Sequence, residues 1–536
     1  MRAAPCCDMT SVFHRCCAFD TSTYRAFGVR LTSVIIINAF ALTLPLVSID
    51  LLTVRTIGLE NRPEELNTLN AAQFAPSMCS ALFGLLTDTV QLRCFQPSRH
   101  SRQARRAPWI VLGLVGNAAA LVPIACDSIT SLGWLYAAVL PAAICATLTA
   151  ASIDGVLVQI GRSIAADSAS AVDGTKARSA VMAIDYQLRG LGSLLGYLVS
   201  ASLPSTATVT GSAAAATAAA AACYLLAAVM AGGLGRGDAL DEAEHLTRAS
   251  DSQQPTAHSE TTTQATTHLL RSSPGFGAVA VQRAREISRE IWAQLGGLPT
   301  LCCLGIAFIY QLSPTPDDTY SAFVFSRELH LSSALLSLSG ALSLIVGMIG
   351  AAAIFQQLAL PPLTAFALGA FSRAVGNLAL LPLALQSGPP SKVLYMAQIG
   401  VSSLFNGLAF LPIIALGALA APRGREASVF GLVMTAQSAG TLLGAMLAGR
   451  LCAAMDVGSA DGRSWQPLPA FILICSALKL AVLLPCLPLL YCVRKANDAR
   501  LTDSSTAHVN GPLQPEQTCA PEAVGGGYSP PSLSCA

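Results

Sequence analysis

Residues 178–203 read Arg178-Ser-Ala-Val-Met-Ala-Ile-Asp185-Tyr-Gln-Leu-Arg189-Gly-Leu-Gly192-Ser-Leu-Leu-Gly196-Tyr-Leu-Val-Ser-Ala-Ser-Leu203. At about 1.5 Å per residue a helix of this length crosses a hydrocarbon layer of roughly 30 Å, yet Asp185 and Arg189 stand near its middle. Charges at that depth are costly and face a water-filled cavity or a partner inside a bundle, as they do along a solute or ion pathway. The alternative is that their i,i+4 spacing lets them neutralise each other on one helix face. Gly192 and Gly196 offer a strip on which a second helix backbone can approach closely. One helix thus predicts both a polar inner face and a packing seam.

The composition around this stretch is that of a membrane chain. Apolar residues make up 53% of the sequence and charged residues 12%, about half the share of a soluble domain, and mean hydropathy is +0.56. We expect an all-α polytopic protein. Apolar runs of spanning length fall near 28–49, 68–87, 108–126, 132–153, 178–203 and 212–234, and six more near 293–312, 333–356, 361–385, 393–420, 428–450 and 467–492. The expected organisation is therefore a cytoplasmic N-terminal segment 1–27, a six-helix half 28–234, a disordered cytoplasmic linker 235–290 rich in Ser, Thr and Gln, a second six-helix half 291–492, and a disordered cytoplasmic tail 493–536. The 17 cysteines are odd in number and lie mostly in or beside apolar runs, so no disulfide framework is expected. The run from Phe27 to Ile49 has no small-residue cleavage site and reads as the first span rather than a signal peptide.

Basic residues set the orientation. Arg93, Arg99, Arg102, Arg105 and Arg106 crowd the loop after the second span, and Arg423 and Arg425 the loop after the tenth. With twelve spans these loops share a side with both termini, which places the termini in the cytoplasm. A weak internal repeat joins the halves. Gly192-Ser-Leu-Leu-Gly196 matches Gly440-Thr-Leu-Leu-Gly444 in the fifth span of each half, with Arg189 falling on Gln437. Repeated halves around a midplane site are an architecture of secondary transporters.

Phe83-Gly84-Leu-Leu-Thr-Asp88, followed by Arg105-Arg106-Ala-Pro108-Trp109-Ile110, resembles the Gly-x-x-x-Asp... Arg-Arg pattern of the major facilitator superfamily. An acidic group at a helix end facing arginines makes a charge latch that is closed in one conformation and broken in another. The corresponding place in the second half, Phe355-Gln-Gln-Leu-Ala-Leu-Pro361, carries no charge, so any latch is one-sided.

Further segments resemble the folate and biopterin transporter family within that superfamily. They are Ile153-Asp154-Gly-Val-Leu-Val-Gln159-Ile-Gly-Arg162, Pro314-Thr-Pro-Asp-Asp318-Thr-Tyr320, Leu404-Phe-Asn406-Gly-Leu-Ala-Phe410-Leu-Pro412, and Ala421-Pro-Arg-Gly424-Arg-Glu426-Ala-Ser428-Val-Phe430. The likeness covers about residues 45–490 apart from the linker, and departs from the family pattern where Gln159 replaces an acidic residue, where a second acid upstream of Asp154 is missing, and where Tyr186 replaces Trp. The resemblance implies a transporter of folate or pterin-like solutes, coupled to protons and working by alternating access.

Such a cargo needs a cation for a carboxylate, a flat side chain for stacking and amides for the pterin edge. The candidate substrate-binding residues are Arg189, Arg373, Tyr186 and Asn406; the proton-coupling candidates are Asp154 and Asp185; the gating candidates are Asp88, Arg105, Arg106 and Glu426. Lys479, Asn38, Asn117, Asn377 and Gln437 are further mid-span polar groups, though amides in membrane helices commonly hydrogen-bond between helices. Asp154 is read as the partner of Arg189, as a cavity carboxylate that carries a proton, or as a solvated helix end. The partners implied are a small-molecule solute, protons and the bilayer, with no nucleic acid, and no metal spacing or cofactor loop is present. Two other readings stay open. One is a sugar–proton symporter of the sucrose type, which Arg105-Arg-Ala-Pro-Trp-Ile110 also resembles; the other is a non-transporting scaffold. The protein is expected to be an integral, multi-pass membrane protein of a plasma or organellar membrane.

Overall fold

The computed structural model describes residues 21–53, 75–90, 102–126, 131–166, 171–202, 209–234, 298–326, 333–358, 362–385, 391–420, 426–458 and 464–493, with isolated positions between. Residues 1–20, nearly all of the expected linker 235–290 and almost all of the tail lie outside the described residues.

Hydrocarbon offers the backbone no hydrogen-bond partners, so an apolar chain of this kind must satisfy its peptide groups within each segment, and it does so as helices. Helix α1 is Thr21–Thr43, continued by Leu46–Leu51. It is followed by α2 (Ser80–Thr89, led in by the turn Ala75–Cys79), α3 (Arg102–Ala125), α4 (Leu132–Ala166), α5 (Ala171–Ser202) and α6 (Val209–Ala231). The second set comprises α7a (Leu298–Leu312) and α7b (Asp317–Ser326), then α8 (Ser333–Leu344, with Ile345–Gly350 and Ala351–Leu358 running on), α9 (Pro362–Asn377, with Leu378–Leu380 and Leu381–Ala384), α10 (Lys392–Ala420), α11 (Glu426–Ala454) and α12 (Leu468–Ala481, helical on to Val493). The apolar span of α1 begins at Gly28, as expected, and the non-helical conformation of Gly28, at φ 66° and ψ 155°, sets it off from a short helical segment that starts at Thr21.

Eight of these rods are long and apolar enough to cross a membrane: α1, α3, α4, α6, α8, α10, α11 and α12. The other four, α2, α5, α7 and α9, fall short for local reasons. The described part of α2 is 10 residues long; α5 carries Asp173, Lys176, Arg178, Asp185 and Arg189; α7 is broken; and α9 tightens into a 3-10 turn after Asn377. Each of the four also bears an ionic side chain of the site described below.

The break in α7 follows from two prolines. Pro314 has no N–H for the carbonyl of Tyr310, four residues back, and Pro316 has none for Leu312, so the helix stops at Leu312 and restarts at Asp317. Lys479 of α12 supplies the missing donor: its Nζ donates to Tyr310 O at 2.7 Å. The ammonium also lies 3.9 Å from the centre of the Tyr310 ring.

The repeated glycine pairs pack in repeated fashion. In the first half, a Cβ on Gly192 would meet Ala39 Cβ at 3.0 Å and one on Gly196 would meet Phe40 O at 2.8 Å, both on α1. In the second, a Cβ on Gly440 would meet Gln311 Cβ at 2.9 Å and one on Gly444 would meet Gln311 O at 2.6 Å, both on α7a. The fifth helix of each set thus lies backbone-close against the first. Buried apolar side chains of α1 and α3–α6, joined by Val429 and Phe430 of α11, form one core, and those of the second set, joined by Val47, form two more. Leu82, Leu112, Leu226, Val229, Val393 and Leu484 point outward as a lipid-facing surface, with Trp134 near one end and Tyr491 near the other, as aromatic residues lie at membrane interfaces.

Replacing Gly192 or Gly440 by leucine should each cost about 1–3 kcal/mol through overpacking, read as a lowered thermal midpoint of the detergent-solubilised protein. Gly133→Ala, where the nearest atom would be 3.9 Å away, should leave the midpoint unchanged.

Candidate functional site

Three arginines, two buried and one partly open, are each paired with a carboxylate from a different helix and organise the polar interior. The first pair closes the latch expected between α2 and α3. Arg106 Nη2 donates to Asp88 Oδ1 at 2.7 Å, and its Nη1 donates to Gly155 O at 2.5 Å and Gln159 Oε1 at 3.4 Å on α4. Gly155 leaves room for the guanidinium, since a Cβ there would meet Arg106 Cζ at 3.0 Å. The other oxygen of Asp88 accepts from Ser428 N at 3.0 Å and Ser428 Oγ at 2.6 Å. Ser428 is the third residue of α11, where N–H groups have no partner within the helix and the helix dipole favours an anion. One carboxylate therefore ties α2 and α3 to α11. Nearby, Ala81 N donates to Thr435 Oγ1 at 3.0 Å, a second α2–α11 link. The side chains of Arg105 and Glu426, the other gating candidates, lie outside the described residues; Glu426 is the first residue of α11.

The second cluster brings together Asp154, Asp185 and Arg189. Arg189 Nη2 donates to Asp154 Oδ1 at 2.5 Å across the α4–α5 contact, and its Nε donates to Asp185 Oδ1 at 3.0 Å one turn away on α5. Both alternatives for Arg189 are thus realised together, and Asp154 is its partner. Two carboxylates share one guanidinium, which leaves the cluster with a formal surplus of negative charge. The Arg189 side chain is 30% exposed, against about a tenth for each carboxylate, so the cation rather than the acids is open to an arriving group.

The third cluster surrounds Arg373. Its Nη1 donates to Ser402 Oγ at 2.6 Å and Ser402 O at 3.0 Å on α10, while its Nη2 donates to Asp317 Oδ2 at the start of α7b. Lys479 on α12 is near enough for its charge to act on both Arg373 and Asp317. Here two cations accompany one carboxylate, and the formal surplus is positive. Asp318, next along α7b, lies within charge range of Asp50 on α1, so acidic groups of the two helix sets face each other there.

Helix α10 connects the second and third clusters. Gln398, Ser402, Asn406 and Phe410 follow one another at i,i+4 spacing along one slowly turning stripe. Gln398 Oε1 accepts from the Tyr320 hydroxyl, Ser402 holds Arg373, and Phe410 stacks at 5.8 Å between ring centroids on Tyr186, the neighbour of Asp185. Asn406 stands exposed between Ser402 and Phe410. It lies one helical turn from Ser402, the residue that holds Arg373. Tyr186 packs with Phe410 in an apolar cluster with Ala351, Ala352 and Leu411, at the contact of α5 with α8 and α10.

Asp317, Ser402 and Ser428, which partner the buried charges, are residues that the sequence reading did not single out. Two of them stand where a signal existed: Asp317 in the first turn after Pro314-Thr-Pro316, and Ser428 in the first turn of a helix preceded by Pro422 and Gly424. Among the further polar candidates, Lys479 lies in the third cluster, while Asn117, Asn377 and Gln437 each have a buried amide atom with no hydrogen-bond partner among the described residues. No group of His, Cys, Asp and Glu suited to a metal occurs among the described residues.

Removing one member of the latch pair leaves the other charge buried, so Asp88→Ala and Arg106→Ala should each destabilise by about 3–5 kcal/mol. The double change should cost clearly less than the sum, as measured by a double-mutant cycle on the thermal midpoint.

No curated protein matches the chain. Solved transporter structures share its fold. The human organic anion transporter MFSD10 matches at 16% identity and a TM-score of 0.50, over 87% of this chain and 99% of its own. The nucleoside transporter NupG matches at 11% and 0.52, over 86% and 99%. A structure from the proton-dependent oligopeptide transporters matches at 15% and 0.55, over 88% and 99%. The sequence profile of the BT1 family matches residues 38–509, a range that takes in all three ionic clusters. The chain therefore belongs to the BT1 family, which includes folate–biopterin transporters of the major facilitator superfamily, and it is an integral, multi-pass membrane transporter.

Proposed function

We propose that the protein carries folate or a related pterin across its membrane together with protons, by alternating access. The observation that carries this reading is the opposite charge surplus of the two interior clusters. Asp154, Asp185 and Arg189 have one carboxylate too many, and Arg373, Lys479 and Asp317 have one cation too many. A solute with an anionic end and a co-transported proton complements both at once. The carboxylate end is drawn to Arg373 or to the exposed edge of Arg189, and the proton neutralises Asp154 or Asp185. Asn406 on the stripe between them offers an amide to the pterin edge, and Tyr186 a ring face once its contact with Phe410 opens.

Asp88, Arg106 and Ser428 act as the gate in this reading. Their bonds join α2 and α3 to α11, so opening at that end requires them to break, while α5 and α8 separate at the other. Arg105 and Glu426 belong to the same end of the chain's fold by sequence position, on the side expected to face the cytoplasm. The neutral Gln159 beside Arg106 leaves Asp88 as the carboxylate that the latch uses.

The test is uptake of labelled folate and biopterin, with sucrose as control, into vesicles containing the purified protein, with and without an inward proton gradient. Saturable, gradient-stimulated pterin uptake is expected, with sucrose excluded; sucrose uptake without pterin uptake, or no flux, refutes the reading. Asp154→Asn should retain exchange of labelled for unlabelled pterin while losing gradient-driven accumulation, and Arg189→Ala should lower both by at least about tenfold, the scale of a lost charge-assisted hydrogen bond.

A further inference from the structure

We infer that Asp317 is a placeholder for the solute, a carboxylate that occupies Arg373 in the empty protein and is displaced by a carboxylate of the cargo, so that the Arg373 site selects carboxylate-bearing pterins over neutral ones. The inference rests on the pterin reading and narrows it.

The two partners of this ion pair are held very differently. The Arg373 side chain is 5% exposed and that of Asp317 is 41% exposed. Arg373 is anchored on one edge by two bonds from Nη1 to Ser402, so the guanidinium keeps its position whether or not the other edge is occupied. Asp317 is held through its backbone by its own helix, where its carbonyl accepts from Ser321 Oγ at 2.9 Å, and its carboxylate, unlike the guanidinium, is largely open. It begins α7b directly after Pro314-Thr-Pro316, where the helix has lost the bonds that would tie it to α7a. Lys479 holds the end of α7a through Tyr310 O, not α7b. The proline break separates the helix that begins with the acid from the clamped α7a, and the exposed Asp317 side chain can turn away from Arg373 while Tyr320 keeps α7b on α10.

Displacement is also tolerable for the acid that leaves. Asp317 stays in the first turn of α7b, where free N–H groups favour an anion, and within charge range of Lys479. The groups facing it from other elements are Arg373 on α9, Lys479 and Cys475 on α12, and Tyr310 on α7a, with Asp318 beside it on α7b. The vacated edge of Arg373 suits a planar carboxylate, which guanidinium binds through two parallel N–H bonds. Around it, the hydroxyl of Tyr310 is buried with no hydrogen-bond partner among the described residues, as are both amide atoms of Asn377, one helical turn from Arg373 on α9. Of these atoms the Tyr310 hydroxyl and Asn377 Nδ2 are donors, the kind of group that an incoming anion can use.

The experiment measures binding of labelled folate, which carries glutamate carboxylates, and biopterin, which carries none, to the full-length protein in detergent. Asp317→Asn removes the competitor from Arg373 and should tighten folate binding about tenfold with biopterin unchanged, because a site occupied by its own stand-in binds with reduced apparent affinity. The charge-neutral double variant Asp317→Asn/Arg373→Gln should bind folate no better than biopterin. If Asp317→Asn weakens both pterins together, the pair is a structural tie and the inference falls; it falls equally if the double variant binds folate like the unaltered protein. Should the unaltered protein bind neither pterin, the transport reading fails, and glutarate then decides this inference by itself. It should raise the thermal midpoint of Asp317→Asn and not of the double variant, and an equal response or none in both overturns it.

Discussion

A guanidinium in a membrane interior must find an anion, and in this protein the anion comes each time from another helix. Asp88 on α2 serves Arg106 on α3, Asp154 on α4 serves Arg189 on α5, and Asp317 on α7b serves Arg373 on α9. The desolvation penalty of an unpaired charge makes these pairings obligatory in the resting arrangement. Helix order, glycine seams and the break in α7 are the means by which the pairs meet. A buried pair adds little net stability compared with apolar packing, but breaking one is expensive, so the pairs define which arrangements of the helices are permitted.

Cost falls unevenly across the three pairs. Both members of the Asp88–Arg106 pair are almost fully enclosed, and the carboxylate is used on both oxygens. Arg189 is enclosed by two acids yet partly open, and Arg373 is enclosed while its acid is open. The first is suited to holding two bodies together, and the other two to exchanging one partner for another. Chemistry of the same kind, arginine with aspartate, thus does different work according to which member faces the interior space.

Much of this was legible in the residues. Hydropathy located helices such as the long span of α10, because bilayer thickness imposes a length that composition reveals, whereas the seventh, expected over 293–312, begins at Leu298 and restarts at Asp317 beyond the prolines. The glycine pairs at 192 and 440 announced their seams, since a close backbone approach needs small residues at fixed spacing. Asp88 with Arg106 could be read from a short motif, and Asp154 with Arg189 from two neighbouring spans. Arg373 looked unpaired because its acid lies 56 residues earlier, beyond any periodicity of its own helix. The openness of Asn406 and the packing of Tyr186 on Phe410 depend on how α5 and α10 face each other, which no local pattern records. The four rods that fail a simple membrane criterion are the ones that a hydropathy count undervalues, and each carries at least one member of the ionic clusters.

The proline break has a mechanical consequence. Helix α7a is fastened to α11 by the Gly440–Gly444 seam and to α12 by Lys479, whereas α7b is fastened to α9 by Arg373 and to α10 by Gln398. One sequence element is therefore split between two sets of neighbours, with a joint at Pro314–Pro316 whose two prolines donate no backbone hydrogen bond. Asp317 heads a rod of ten residues, and the fifteen-residue stem before the joint is clamped separately. The helix that lines the interior can then swing at its upper end without unzipping the packing that keeps its half of the protein in one piece.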